Sequence, residues 1–202
     1  MEDLNAMSLQ VFQYLATHSA VANIEPKVSP GIALHNIAIW EQRNTKTLPK
    51  DLTVFLIASN GLSVKWHGIL QSKSFYLGHF AINSLQNMKK ITANFSNKVY
   101  DAYVIDSSST TGDTCMVYMD EDSVEIWLKN CMDEWHFLAK SFSNYYRLMI
   151  VHLGLIGWQQ LFTPNGLDPI TRQWYYLFIP GRMIQSKAAD SPEKVPVLTF
   201  TL

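Results

Sequence analysis

The stretch WEQRNTKTLPKDLTVFLIASNG, residues 40–61, carries the most definite helix start and stop signals in the chain. Pro49 suits the first turn of a helix, where the N–H that proline lacks would have no partner. Asp51 places a negative charge at the positive end of the helix dipole. Asn60-Gly61 predicts a left-handed stop. One apolar face of this predicted helix consists of Leu52, Phe55, Leu56 and Ser59.

The composition of the 202 residues is that of a globular protein. Hydrophobic residues make up 48% and charged residues 16%, so the chain can build a core, and extensive disorder is not expected. Sixteen basic and seventeen acidic residues give a formal charge of −1. Such a balance provides no large positive field for nucleic acid or an anionic membrane surface.

The N-terminal residues and the cysteines predict the compartment. The start, MEDLNAMSLQVFQYLATHSA, resembles neither a signal peptide nor a transit peptide. No apolar run approaches the roughly 18 residues that a membrane-spanning helix needs. Cys115 and Cys131, without a secretion signal, predict free thiols in a reducing compartment. We therefore expect a soluble, cytoplasmic protein.

The first two-thirds of the chain alternate between helical and strand patterns. An opening helix ends near Ser19 and a strand lies in 21–30. A second helix over 32–43 should turn Leu34, Ile37, Ile39 and Trp40 inward. Period-two alternation and turn residues then predict the following elements. They are a strand at 62–70, a strand at 75–82 with a bulge or turn at Gly78, a short helix at 83–91, a loop at 92–98, a strand at 99–106, a flexible connector at 107–113 and a hairpin at 114–129 that turns at Asp120–Asp122.

Beyond Asp133 the pattern predicts helices. Asp133 is a plausible N-cap of a long helix that Gly154 and Gly157 interrupt. Short helices follow at 157–163 and 169–178, and residues 181–202 predict a loosely attached tail. The fold class is α+β, with a single domain over 1–180. The apolar stripe of the long helix consists of Trp135, Leu138, Ala139, Phe142, Tyr145, Tyr146, Met149 and Leu153.

No known catalytic or metal-binding motif occurs in the sequence. The two cysteines form no C-x-x-C pair, and His136, five residues after Cys131, gives no zinc spacing. A Cys131–His136 pair on one helical face is the remaining nucleophile alternative. Neither GxxxxGK[ST] nor GxGxxG occurs, and the acidic DEDSVE segment lacks the glycine and the alternating oxygens of a calcium loop. We expect no catalytic residue, no metal and no cofactor.

Aromatic residues are concentrated in the second half. Twelve of the 25 lie between Trp127 and Phe178. They can cover the protein's own sheet, or part of them can bind a partner, since tyrosine, tryptophan and arginine are the usual interface anchors. Both interpretations remain open. The candidate partner contacts are Tyr145, Tyr146, Arg147, Trp158 and Trp174.

Eight residues of the first half form a recognisable signature. They are Trp40, Glu41, Leu48, Pro49, Phe55, Asn60, Gly61 and Trp66, together with Asp51-Leu52. This pattern resembles the SMI1/KNR4 (SUKH) superfamily. The resemblance implies an α+β domain in which a mixed, mostly antiparallel sheet is backed by helices.

The second half resembles accessory subunits of tubulin polyglutamylase complexes, through EIW, WHFL, YYRLMIVHLGL, Trp158, Phe162 and QWYYLFIP. This resemblance implies a non-catalytic scaffold whose partner is a tubulin-tyrosine-ligase-like glutamate ligase. It also implies indirect association with microtubules at the cytoskeleton, centrosome, basal body and cilium. The alternative is a free-standing SUKH-type protein-binding module with an unrelated partner.

Overall fold

The computed structural model describes residues 2–27, 29–121 and 123–181, and these form five α-helices and eight strands. The helices are α1 (Glu2–Thr17), α2 (Leu34–Asn44), α3 (Lys50–Ala58), α4 (Phe142–Val151) and α5 (Pro169–Phe178), with 3₁₀ helices at Leu85–Asn87 and Trp158–Phe162. The strands are β1 (Val21–Lys27), β2 (Leu62–Leu70), β3 (Lys73–Ile82), β4 (Lys90–Phe95), β5 (Lys98–Ser108), β6 (Gly112–Tyr118), β7 (Val124–Lys129) and β8 (Trp135–Ala139).

The strands form two antiparallel sheets. One has the order β1-β2-β3 and the other is a meander in the order β4-β5-β6-β7-β8. The register of β2 and β3 shifts between Trp66, opposite Gly78, and His67, opposite Tyr76. Gly78 is required there, because a Cβ on it would lie 1.8 Å from Trp66 Nε1. The sequence prediction of an α+β fold, with a bulge near Gly78, is confirmed.

The main core joins both sheets to the helices. Trp66 on β2 is fully buried, and its Nε1 donates to the carbonyl oxygen of Leu153 at 2.8 Å. Leu52, Phe55 and Leu56 of α3 are buried in the same cluster, which confirms the predicted face of that helix. Residues of the first and the last thirds of the chain therefore meet in one cluster.

A second, smaller cluster lies on the other face of the five-stranded sheet. Small buried side chains form its floor: Ala93, Ala102, Val104, Cys115 and Val117. Aromatic rings cover them. Phe95 on β4 stacks on Trp127 at 4.2 Å and lies 5.8 Å from Trp135 on β8, so side chains of the two edge strands meet. The sheet is therefore strongly curved around this cluster.

Asp51 connects α3 to α4. One of its carboxylate oxygens accepts the N–H of Leu52 at 2.9 Å, and the other accepts the N–H of Ser143 at 2.7 Å. Two backbone donors that a helix start leaves unpaired are thereby satisfied. Pro49 itself is the N-cap of α3 and precedes the first helical residue.

Asn60-Gly61 does not cap α3 in the predicted way. The helix ends at Ala58, and the following Ser59 is extended with φ −151°. Gly61 has φ +100°, but it lies where the chain turns into β2, and a Cβ on it would be 2.8 Å from the carbonyl oxygen of Ile82. The left-handed glycine is thus present, although it orients the strand and does not end the helix.

Gly61→Val should destabilise the protein by about 1–2 kcal/mol, because a β-branched residue is strained at positive φ. Thermal unfolding should show a melting temperature lower by several degrees. Lys50→Ala, an exposed substitution at the start of α3, should leave it unchanged. Equal melting temperatures for the two variants would contradict this role of Gly61.

The helix predicted from Asp133 is wrong up to Ser141. Asp133 has φ +63° and lies in the turn between β7 and β8, and residues 135–139 form β8. The helix begins at Phe142. Its N-cap is Ser141, whose Oγ accepts the N–H of Asn144. Only two residues separate β8 from α4, so the strand and the helix looked like one element. The apolar residues of the strand, Trp135, Leu138 and Ala139, happen to continue the helical spacing.

Two further sequence predictions are corrected. The predicted loop over 92–98 is largely β4, an edge strand whose alternate residues are polar. Leu34 and Ile39 of α2 are exposed, at 66% and 42%, and only Ile37 of that helix is buried. The opening helix, the first strand and the short helices near 158–162 and 169–178 are confirmed. Residues 182–202 of the predicted tail lie outside the described residues. The domain boundary at 180 therefore stays a prediction.

Candidate functional site

The signature residues of the first half hold the fold together. Leu48, Phe55 and Trp66 are buried, and the Trp40 ring lies 4.8 Å from that of Tyr103. Polar members of the signature fix turns. Glu41 Oε1 accepts the N–H of Leu48 at 2.8 Å, and Asn60 Oδ1 accepts that of Leu85 at 2.9 Å. These side chains therefore already have packing or hydrogen-bond partners within the protein.

Three of the five predicted partner contacts are core residues. Tyr145, Tyr146 and Trp158 are exposed by 0%, 5% and 2%. The rings of Tyr145 and Trp158 lie 5.6 Å apart, and the hydroxyl of Tyr146 is 3.0 Å from that of Ser8 on α1. Because these side chains are inside the fold, the prediction that they contact a partner is corrected.

Arg147 and Trp174 are on the surface. Arg147 is exposed on α4, and Trp174 is partly buried on α5, with its ring 6.1 Å from Phe75. Helix α5 has two adjacent stripes of mostly apolar side chains. Its inner side consists of Thr171, Tyr175 and Phe178, and its outer side of Ile170, Trp174 and Leu177, at the same i, i+4, i+7 spacing.

We call Phe75, Ile170, Trp174 and Leu177 the α5 patch. Phe75, Ile170 and Leu177 are exposed large apolar side chains. Contiguous exposed apolar side chains are a feature of interaction sites. Of this group, only Trp174 was among the predicted partner contacts. The helical spacing of Ile170 and Leu177 around Trp174 was the available signal.

The two thiols and His136 do not lie on one helix. Cys115 is a free thiol in the small cluster, where burial raises its pKa to about 12, which keeps it protonated and unreactive. Cys131 is exposed in the β7–β8 turn. His136 lies on β8, with Nε2 3.2 Å from Asn130 Nδ2. Cys131 and His136 therefore do not share a helical face, as a Cys131–His136 nucleophile pair would have required. Over 2–27, 29–121 and 123–181, no three His, Cys, Asp or Glu side chains are grouped to hold a metal.

A cleft with a buried acid at its base is the most distinctive polar site. Its volume is about 310 Å³, and its walls are β3, the β5–β6 turn and residues 154–159. Asp106 lies at the base, where Tyr145 donates its hydroxyl to Oδ2 at 3.3 Å. Burial raises the pKa of Asp106 to about 6, although the Ser107 N–H and Tyr145 hydroxyl oppose the shift. We call this the Asp106 cleft.

The sequence does not single out this acid, because Asp106 ends an apolar run, AYVID, that predicts an ordinary strand. An acid directly after four residues of a buried strand was the available signal.

In the part of the chain that the structure describes, no helix is both long and apolar enough to cross a membrane.

Comparison with known proteins gives a consistent group of relatives, although no protein-family model matches the chain. A Homo sapiens protein is 28% identical over 88% of this chain and 70% of its own length. A Rattus norvegicus protein is 26% identical over 94% of this chain and 76% of its own, and a Mus musculus protein is 27% identical over 88% and 72%. Over at least 88% of its length, the chain is thus similar to three proteins that each bear the name tubulin polyglutamylase complex subunit 2.

Proposed function

We propose that this protein is a non-catalytic accessory subunit of a tubulin polyglutamylase complex. The observation that carries the proposal is the similarity to three complex subunits, which extends over 88–94% of the chain and so includes both sheets. The sequence supports it, since it has no glycine-rich phosphate-binding motif for an ATP-dependent ligase. In this proposal the protein contributes a shaped surface, and the chemistry belongs to another subunit.

The proposed catalytic partner is a tubulin-tyrosine-ligase-like subunit that adds glutamates to tubulin tails. Tubulin is reached through this partner, since a chain of net charge −1 offers no broad positive field for acidic tails. We further propose a SUKH-type fold for the domain and a location at the centrosome, basal body and cilium. Both proposals depend on the resemblance of the sequence.

We propose the α5 patch as a contact with the other subunits. Its apolar side chains are exposed on a helix whose adjacent stripe is buried in the core, so the patch is presented on a rigid support. Trp174 is the natural anchor, because a large ring that is already partly ordered by Phe75 loses little freedom on binding. Arg147 remains a second proposed contact, on α4.

Ile170→Asp should remove the partner without unfolding the protein. Ile170 is 67% exposed at the second position of α5, where a carboxylate suits the helix dipole. The melting temperature should therefore stay within about 2 °C. Affinity for the ligase-like subunit should fall by about thirty-fold, the effect of losing 2 kcal/mol at a hot spot. Co-purification from cells and calorimetry on the purified variant measure the two effects.

Leu34→Asp is the matched control, since Leu34 is 66% exposed in the first turn of α2. It should retain the partner. Normal co-purification of Ile170→Asp and Trp174→Ala would place the contact elsewhere. Failure of the unmodified protein to co-purify any ligase-like subunit would refute the accessory function itself and favour the alternative of an unrelated partner.

A further inference from the structure

We propose that the Asp106 cleft binds a basic side chain, a lysine or an arginine, presented by a partner protein. The site is separate from the α5 patch, and the inference does not depend on which assembly the protein joins. Three features support it: the shape of the cleft, the signs of the charges around it and a buried hydroxyl group, that of Thr111, without a hydrogen-bond partner among the described residues.

The cleft is large enough for one long side chain. Its volume of about 310 Å³ is at the lower end of the range for ligand sites. The walls come from three separate parts of the chain, and Gly154 holds one of them close to β3, where His79 N–H donates to the Gly154 carbonyl oxygen at 2.8 Å. The cleft is therefore preformed by backbone hydrogen bonds.

The charges around the cleft favour a cation. Asp106 is buried, and among the described residues no lysine or arginine nitrogen lies within ion-pair distance of it. Asp113 adds to the negative field, since it contributes to raising the pKa of Asp106. The nearby cation, Lys65, has its Nζ 5.9 Å from the ring centre of Tyr76 at the rim. A phosphate or a glutamate side chain in this cleft would be repelled by Asp106.

The polar groups of the cleft match a donor-rich ligand. An ammonium or guanidinium group has only donors and needs several acceptors. Besides the Asp106 carboxylate, the cleft offers the hydroxyl of Thr111, which is buried and has no hydrogen-bond partner among the described residues. The ring of Tyr76 already has the Lys65 ammonium over it, so the acceptors for the ligand are the Asp106 carboxylate and the Thr111 hydroxyl. His79 does not oppose a cation, because burial lowers its pKa and keeps the imidazole neutral.

The test uses the full ¹⁵N-labelled chain at pH 7.5, titrated with N-acetyl-lysine amide and N-acetyl-arginine amide. At least one should cause saturable amide shifts in residues 107–111 and 154–159, with a millimolar dissociation constant. N-acetyl-norleucine amide, of similar length without the charge, and N-acetyl-glutamate amide should cause none there. Asp106→Asn should weaken the cation by at least ten-fold. Absence of saturable shifts with both cations, binding of the glutamate probe, or unchanged affinity of Asp106→Asn would overturn the proposal.

A pH series on the unmodified protein gives a second readout that needs no variant of Asp106. Between pH 7.5 and 5, protonation of Asp106, with its pKa of about 6, should weaken the cation about ten-fold. The other titratable groups near the carboxylate are Tyr145 on α4, Tyr76 and His79 on β3 and Asp113 on β6. His79→Gln should preserve the pH dependence. A pH-independent affinity would refute the role of the buried acid.

Discussion

Tyr145→Ala should lower the free energy of unfolding by about 3–5 kcal/mol, the cost of deleting a large buried aromatic side chain. Tyr145 is fully buried against Trp158, and its hydroxyl is a donor to the buried Asp106. The alanine variant leaves a cavity and also removes a hydrogen bond from a buried acid. Urea unfolding at neutral pH measures the change, and the melting temperature should fall by roughly 6–20 °C.

Arg147→Ala is the control two residues along the same helix. Arg147 is exposed, so the substitution should change stability by no more than about 0.5 kcal/mol. The pair of variants also separates two causes of a lost partner: unfolding, which we expect for Tyr145→Ala, and loss of a surface contact, which applies to Arg147→Ala. If Tyr145→Ala is as stable as Arg147→Ala, Tyr145 is not the core residue described here.

Asp106→Asn should change how stability depends on pH. Burial raises the pKa of Asp106 in the folded protein to about 6, from its ordinary value of 3.8, so the folded protein binds this proton more tightly than the unfolded chain does. Above pH 6 the fold therefore carries the cost of a buried charge, and it gains stability as the pH falls from 6 towards 4. At pH 7.5 the asparagine variant, which is never charged, should be more stable by about 1–3 kcal/mol.

The informative quantity is the difference in unfolding free energy between the unmodified protein and Asp106→Asn at each pH. His79 has a lowered pKa and works in the opposite direction, since its protonation in acid destabilises the fold. Subtracting the curve of Asp106→Asn from that of the unmodified protein, over pH 5–8, removes His79 and the surface groups. The remaining curve should be level above about pH 6.5 and should bend near pH 6, below which the unmodified protein gains stability relative to Asp106→Asn. A flat difference would show that the acid is solvated in the folded protein.

The parts of the fold that were predictable are those whose signals are local. Pro49 and Asp51 indicated the start of α3, and the alternation of Val64 and Trp66 indicated β2, because capping and period-two burial depend on neighbours in sequence. The α5 helix was equally clear, since Asp168 caps it and Pro169 begins it. Each of these elements has the predicted type and nearly the predicted bounds.

The errors have a different physical origin. Trp135 and Leu138 fit a helical stripe and also a strand, and only the pairing of β8 with β7, a contact set by tertiary structure, decides between them. For Tyr145 and Trp158 the difficulty is chemical. Large aromatic residues suit a core and an interface equally well, so their type cannot show which of the two they occupy.

The candidate cleft could not be predicted, because its walls are distant in sequence. Asp106, His79 and Gly154 belong to three separate segments, and nothing in any one segment indicates the other two. Their meeting depends on the contact between β3 and the segment that follows α4, where Gly78 pairs with Leu155. A site assembled by tertiary contacts alone leaves no motif in the sequence.

The double acceptor role of Asp51 has a consequence for how the chain is made. Its second donor, the N–H of Ser143, lies 92 residues further along the chain. The acceptor of the Trp66 indole N–H, the carbonyl oxygen of Leu153, likewise lies 87 residues after Trp66. During synthesis, the first two-thirds of the protein leave the ribosome before either contact exists, with the apolar side of α3 still uncovered. Truncated fragments that stop before Ser143 lack both contacts permanently. In a binding assay, such fragments would capture proteins through their exposed core and so report false partners.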